Sequence, residues 1–223
     1  GADHLVMPYI DMANIACGFH ASDPTIMQTT VQLAIQNDVM IGAHPGYPDL
    51  QGFGRRSITM PMNDITQMLL YQVGALSAIC QSEGGKVEYI KPHGALYNDM
   101  MKDIGIFEAI TKAAAALKLP LMVLAKGNLE RHRSIAKQYH VPLIMEAFSD
   151  RAYLDNGELT PRSLDGAVLS QKEDILNQVL SISKNKEVTS LTGSLIPLQA
   201  DTICVHGDNE ASIALIKDIK QSL

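Results

Sequence analysis

The sequence has 223 residues, 46% of them hydrophobic, with a formal net charge of −6, seven histidines, three cysteines and no tryptophan. That length supports one large or two small domains with a buried core, and the composition excludes a disordered chain. Lys and Arg do not cluster in runs and there are only four Phe, which argues against nucleic acid or an anionic membrane surface as a partner. No apolar run approaches a membrane span and no signal-peptide pattern is visible. Cys17, Cys80 and Cys204 lack a C-x-x-C spacing and read as small buried apolar residues in a reducing cytoplasm.

Met12 to Cys17 reads as a strand running into Gly18-Phe19-His20. Asp23-Pro24 then has the form of an N-cap followed by proline at the first helical position, opening a helix to about Asn37. Val39 to Ala43 is a short buried strand that ends at His44 and a loop broken by Pro45, Gly46, Pro48, Gly52 and Gly54, which carries Asp49, Arg55 and Arg56. Asn63 or Asp64 is the expected cap of a helix whose face holds Ile65, Met68, Leu69, Gln72, Val73 and Leu76, and Gly84-Gly85 ends it. The third strand, Val87 to Ile90, delivers Lys91-Pro92-His93, and a helix with Ile104, Phe107, Ile110 and Ala114 on one side follows. Leu121 to Leu124 is a fourth strand, the stretch to Tyr139 a short helix, and Val141 to Met145 a fifth strand delivering Glu146, Asp150 and Arg151. Asp155 to Ser163 is a turn-rich excursion. Ser170 to Glu173 fits a capping box for a helix to about Lys184, Val188 to Leu198 a hairpin around Thr192-Gly193, and Thr202 to Val205 a last strand. It ends at His206-Gly207-Asp208, and Asn209 to Leu223 is a closing helix.

This alternation, repeated about six times, predicts a parallel sheet covered by helices. His20, His44, His93, Glu146 and His206 all follow the C-terminal end of an expected strand. A barrel gathers such ends around one mouth, whereas a doubly wound sheet spreads them along an edge, so the barrel is favoured. A lone loop histidine is more often exposed or hydrogen-bonded than catalytic, but four at equivalent strand ends point to a shared site. His4, His132 and His140 have no such placement. Asp208 serves equally as a helix cap or a site residue. Lys91 at a strand end suits a carbonyl or phosphoryl oxygen. Of the adjacent Arg55 and Arg56, one is expected to face the site. His20 and His44 can ligate one metal ion, although no H-x-x-x-H pair supports this, and no phosphate-binding glycine motif marks a nucleotide site.

Asn14-Ile15-Ala16-Cys17-Gly18-Phe19-His20-Ala21 with Asp23-Pro24, Gly42-Ala43-His44-Pro45 with Tyr47-Pro48-Asp49-Leu50 and Gly52 to Arg56, and Lys91-Pro92-His93-Gly94-Ala95-Leu96-Tyr97 resemble, in order, motifs of the LamB/YcsF family of 5-oxoprolinase A subunits. Asp150-Arg151-Ala152-Tyr153, Leu159 to Ser163 and Asp201 to Asp208 complete the series, so the resemblance spans nearly the whole chain as a single domain, 1–223. It implies an irregular α/β barrel of the glycoside hydrolase/deacetylase type. It also implies ATP-dependent hydrolysis of 5-oxo-L-proline to L-glutamate, with Mg2+ accompanying ATP and two further subunits as partners. Family members open with a strand carrying an Asp-Leu-Asn-x-Asp-type motif and a Gly-Glu. The sequence as given shows nothing before Gly1; if that strand is absent, the barrel is incomplete and the carboxylates expected in its mouth are missing. The chemistry then assigns His93, Lys91, Asp208 and His44 to catalysis, with His93 or Asp208 as the base. Asn14, His20, Arg55, Arg56, Asp150, Arg151 and His206 are assigned to substrate binding. The alternatives are a metal-dependent deacetylase or amide hydrolase acting without ATP, and a non-catalytic substrate-binding subunit.

Overall fold

The computed structural model describes residues 3–162, 164–206 and 210–222, with residues 210–213 described by backbone alone. In chain order the elements are α1 (Asp3–Val6), a 3-10 turn (Met7–Tyr9), β1 (Met12–Ala16), α2 (Pro24–Gln36), β2 (Met40–His44), α3 (Met62–Ser82) and β3 (Tyr89–Ile90). There follow α4 (Gly94–Lys102), α5 (Ile104–Leu117), β4 (Leu121–Leu124), α6 (Glu130–Gln138), β5 (Leu143–Phe148), α7 (Lys172–Leu180), β6 (Glu187–Thr189), β7 (Leu195–Pro197), β8 (Thr202–Cys204) and α8 (Glu210–Ser222). Parallel strands alternate with helices in an irregular, open α/β barrel, as expected. Among the described residues no helix is long and apolar enough to cross a membrane.

The chain divides into two compact units. The larger comprises Ile10–Val123 with Glu130–Leu143. Here β1 runs parallel to β2 with Met12 opposite Met40 and Ala16 opposite His44, so the strand ends, and the loops they launch, are set level by the hydrogen-bond register. In β1 the buried Ala13 and Ile15 alternate with exposed Asn14, the period of a strand with one covered face. Gly42 in β2 stands opposite Tyr89 of β3 because a Cβ there would lie 2.0 Å from the tyrosine ring. Asp23 caps α2, accepting from the Thr25 and Ile26 amides at 2.9 Å, with Pro24 first in the helix as the sequence predicted.

Two expectations in this unit need correction. The cap of α3 is neither Asn63 nor Asp64: the helix opens after Pro61, whose fixed φ of −57° leads into it, and Asp64 lies in the first turn, where its charge meets the positive end of the helix. The helix face itself is as predicted, with Ile65, Met68, Leu69, Gln72, Val73 and Leu76 all buried. The third strand is shorter than expected, Tyr89–Ile90 rather than Val87 to Ile90, and after it the chain folds into α4 from Gly94 onward, with His93 in the N-cap position.

The smaller unit is the remainder of the described chain. Its β5 pairs in parallel with β8, Glu146 opposite Thr202, and β6 pairs with β7 in the predicted hairpin. The fifth strand is displaced from its expected position. Val141 donates back to Ala136 to close α6, so β5 begins only at Leu143, and Glu146 sits inside the strand, buried, rather than beyond its end. The capping box is also absent: α7 starts one residue late, with Gln171 at the N-cap and no side-chain cap bond. Cys17 and Cys80 are buried free thiols, and Cys204 is half-buried; burial pushes the Cys17 thiol up to about 12.

Candidate functional site

The larger unit brings three of the predicted histidines together. His44 ends β2, His93 caps α4, and His20 sits in the loop after β1. His20 stacks on His93 with ring centroids 3.8 Å apart and planes 5° from parallel, and it meets His44 edge-on at 5.7 Å. His44 Nδ1 lies 2.6 Å from the Lys91 carbonyl oxygen, and His93 Nε2 lies 2.7 Å from the Phe53 carbonyl oxygen. A carbonyl only accepts, so each of these ring nitrogens carries the proton and donates. The other nitrogens, His44 Nε2 and His93 Nδ1, face each other at 3.0 Å.

The loop that holds this cluster has little freedom. Gly46 is clamped by the buried Gln72 of α3, which accepts from its amide at 3.0 Å and donates to its carbonyl at 2.9 Å. A Cβ at Gly46 would lie 2.8 Å from His20 Nδ1. Gly54 has a φ of +63°, and a Cβ there would meet His20 Cβ at 2.8 Å and His93 Cδ2 at 2.9 Å. Between them Phe53, itself at a φ of +53°, sets its ring edge-on to both His20 and His93. Such backbone in a non-glycine residue is held by its surroundings, and here it seats an aromatic ring against the histidines.

The electrostatics disfavour charge on His20 and His44. Burial, then the charge of Lys91, then His93 and His20, hold His44 well below the ordinary histidine value, against the opposing hydrogen bond to the Lys91 carbonyl. Burial and then His93 bring His20 down to about 3. Lys91 is itself buried. One nitrogen from each of His20, His44 and His93 falls within 4.8 Å of the others, a set able to hold a metal ion, so the expected His20–His44 pair gains His93.

The remaining candidates of this unit divide as their adjacency predicts. Arg56 forms a two-pronged pair with Asp49, with Nε 3.1 Å from both carboxylate oxygens and the terminal nitrogen on Oδ1. The hydrogen bond from Arg56, against some burial, brings the Asp49 carboxyl down to about 2. Arg55 is exposed, with its guanidinium 5.2 Å above the Phe53 ring. Asn14 accepts from the Tyr89 hydroxyl at 3.0 Å.

In the smaller unit His206 Nδ1 lies 2.8 Å from Asp150 Oδ2. Burial pushes the Asp150 carboxyl up, and the hydrogen bond and charge of His206 more than reverse it, so the group lies below its ordinary value. Asp150 Oδ1 is buried without a hydrogen-bond partner. Arg151 is buried and donates to the Ala167 carbonyl at 3.2 Å and to the Thr160 carbonyl, which ties the 160–167 segment to the end of β5. Asp208 lies outside the described residues.

Sequence reasoning missed Gln72 and Phe53. A glutamine on an otherwise apolar helix face and an aromatic between two glycines were the available signals, and both were passed over because they carry no reactive group.

These segments are the ones that resembled known motifs, and the LamB/YcsF family model matches residues 1–223. The chain belongs to that family. Two relatives, each named as the A subunit of 5-oxoprolinase, come from Vibrio cholerae serotype O1 strain O395 and Vibrio parahaemolyticus. They are 58% and 59% identical over 223 residues, covering 100% of this chain and 91% and 89% of theirs. A third of that name, from Chromohalobacter salexigens, is 48% identical over 224 residues, with 100% and 90% covered. Among solved structures, the family fold is similar to that of a Lactam Utilization Protein from Thermus thermophilus, with a TM-score of 0.92, 36% identity, and 100% and 89% of the two chains covered.

Proposed function

We propose that this chain is the A subunit of an ATP-dependent 5-oxoprolinase, a cytoplasmic enzyme that opens the lactam of 5-oxo-L-proline to L-glutamate while ATP is cleaved to ADP and phosphate. The observation that carries the reading is the 58% identity to a protein of that name along the entire chain. The name implies partners, and we assign two further subunits, with ATP and Mg2+ as co-reactants.

A lactam amide is resonance-stabilised and resists water at neutral pH. Transfer of the γ-phosphoryl group to the amide oxygen releases ADP and gives an imidate-like phosphate. Water then adds at that carbon, the carbon–nitrogen bond breaks, and the nitrogen takes a proton, leaving an acyl phosphate. A second water attacks the same carbon, so phosphate leaves carrying the lactam oxygen and the glutamate carboxylate is completed. Positive charge is needed where charge gathers on phosphate and oxygen, and Lys91 and Arg55 are the residues for it, since Arg56 is taken up by Asp49. The facing nitrogens of His44 and His93 are the basic atoms of the larger unit.

The test is glutamate release from 5-oxo-L-proline by the chain alone and with candidate partner subunits, each with and without ATP. Release only with ATP and partners is the expected result. Failure in every condition, with the same partners active beside another A subunit, overturns the reading. Oxygen label carried from the lactam into phosphate tests the phosphorylated intermediate separately, and unlabelled phosphate sinks it.

A further inference from the structure

We propose that His20, His44 and His93 bind one divalent transition-metal ion, with His44 Nε2 and His93 Nδ1 as its first two ligands. The argument is one of tautomers. The Lys91 and Phe53 carbonyls fix the protons on His44 Nδ1 and His93 Nε2, at 2.6 and 2.7 Å. With one proton on each ring, the two nitrogens that face each other at 3.0 Å then both present lone pairs. Lone pairs repel, so the arrangement calls for a cation between them, a metal ion or a shared proton, and the nearby third imidazole points to the metal. The carbonyls stand where a metal-bound imidazole places its outer partner, on the ring nitrogen opposite the ligand atom.

His20 adds an independent observation. It is 2% exposed, and its Nδ1 is buried with no hydrogen-bond partner. Its ligand atom lies within 4.8 Å of those of the other two. Two nitrogens on a tetrahedral zinc ion with bonds of about 2.0–2.1 Å are roughly 3.3 Å apart, so the His44–His93 gap needs to open by only a few tenths of an ångström. Three imidazoles favour zinc, cobalt or nickel over magnesium or calcium, which take oxygen ligands. When bound, such an ion polarises a carbonyl oxygen and acidifies a coordinated water.

The inference deepens the functional reading by saying what the basic nitrogens hold, and its test reads binding without turnover. The full chain is stripped with a chelator, dialysed and titrated with Zn2+ and with Co2+. The expected result is about one tightly bound ion per chain, with visible Co2+ absorption of a low-coordinate nitrogen site. His44→Gln with His93→Gln is expected to weaken binding by more than roughly 100-fold while circular dichroism stays unchanged. His4→Gln, at an exposed histidine on α1, is expected to leave binding unchanged. Uptake below about a tenth of an ion per chain overturns the proposal, as does a double variant that binds like the parent. Nitrogen NMR showing a shared proton between the two rings in excess Zn2+ also overturns it. Turnover measured in parallel separates the two ideas: glutamate release by the metal-free complex retains the function and removes the metal, whereas a bound ion with no release in any condition does the reverse.

Discussion

The two units use histidine in opposite ways. In the larger unit His44 and His93 are oriented by backbone carbonyls and packed beside a third imidazole, and burial and the charge of Lys91 keep His44 neutral. In the smaller unit His206 is oriented by a carboxylate, that of Asp150. A carbonyl fixes the tautomer without stabilising a proton on the far nitrogen, so the first arrangement makes a ligand set. A carboxylate brings a full negative charge to the same position, so the second ring is held by a charge-assisted hydrogen bond. The same side chain is thus given two chemistries by what stands behind it.

The strongest way to break that contrast is to remove a member of each. His93→Ala is expected to lower glutamate release by the reconstituted complex by about 10²–10⁴-fold without unfolding the chain. Near-parental activity removes His93 from the chemistry. Asp150→Asn keeps an oxygen for His206 Nδ1 but deletes the charge, and release is expected to fall by about 10–100-fold. Release by Asp150→Asn at the parental rate removes the Asp150–His206 pair from the chemistry.

How far these features could be read in advance depended on where each cause lies. The strand-end placement of His20, His44 and His93 follows from short apolar runs followed by loop breakers, a local pattern, and it was legible. Their tautomers were not, because the carbonyls that set them come from Lys91 and Phe53, residues 47 and 40 positions away. Glu146 was misplaced because Val141 looks like a strand residue, yet its amide closes a helix. Arg55 and Arg56 were correctly expected to diverge, since adjacent side chains point apart, but that Asp49 would take Arg56 required the folded loop. The pairing of Asp150 with His206, 56 residues apart, left no trace in spacing at all.

The larger cluster depends on a loop that the smaller pair lacks, and loop variants test that dependence. Gln72→Leu fills the same space but strands the amide and carbonyl of Gly46, and is expected to destabilise by about 1–3 kcal/mol. In a chain of this size that lowers Tm by roughly 2–12 °C. Gly54→Ala puts a methyl group against His20 and His93 at a positive φ, for a cost of about 1–2 kcal/mol from the backbone alone, and it displaces the rings. Both are expected to weaken Co2+ binding while leaving the His206 ring resonances unchanged. Shifts at His206 of the same size as those at His93 would mean that the two sites are not separately held.

The smallest effect concerns Asp49, which holds Arg56 and accepts from the Gly52 amide at 2.9 Å at the turn before Phe53. Its carboxyl is lowered from the ordinary 3.8 to about 2 in the folded chain, chiefly by the Arg56 hydrogen bond. Between these values the unfolded chain binds more protons than the folded one, so stability rises with pH through that window. The contribution is complete above the unfolded value of 3.8 and drains away as pH falls toward 2. Arg56 is 63% exposed, so salt screens the pair. Asp49→Asn keeps an acceptor for Gly52 but cannot titrate, so its melting temperature is expected to lie a little below the parent's at neutral pH, and the two curves are expected to converge between pH 4 and pH 2. Raising the salt concentration at neutral pH narrows the same gap. A gap that is constant down to pH 2 would show that Asp49 holds the loop through its shape and hydrogen bonds, and that the charge of Arg56 has no part in seating Phe53 against the histidines.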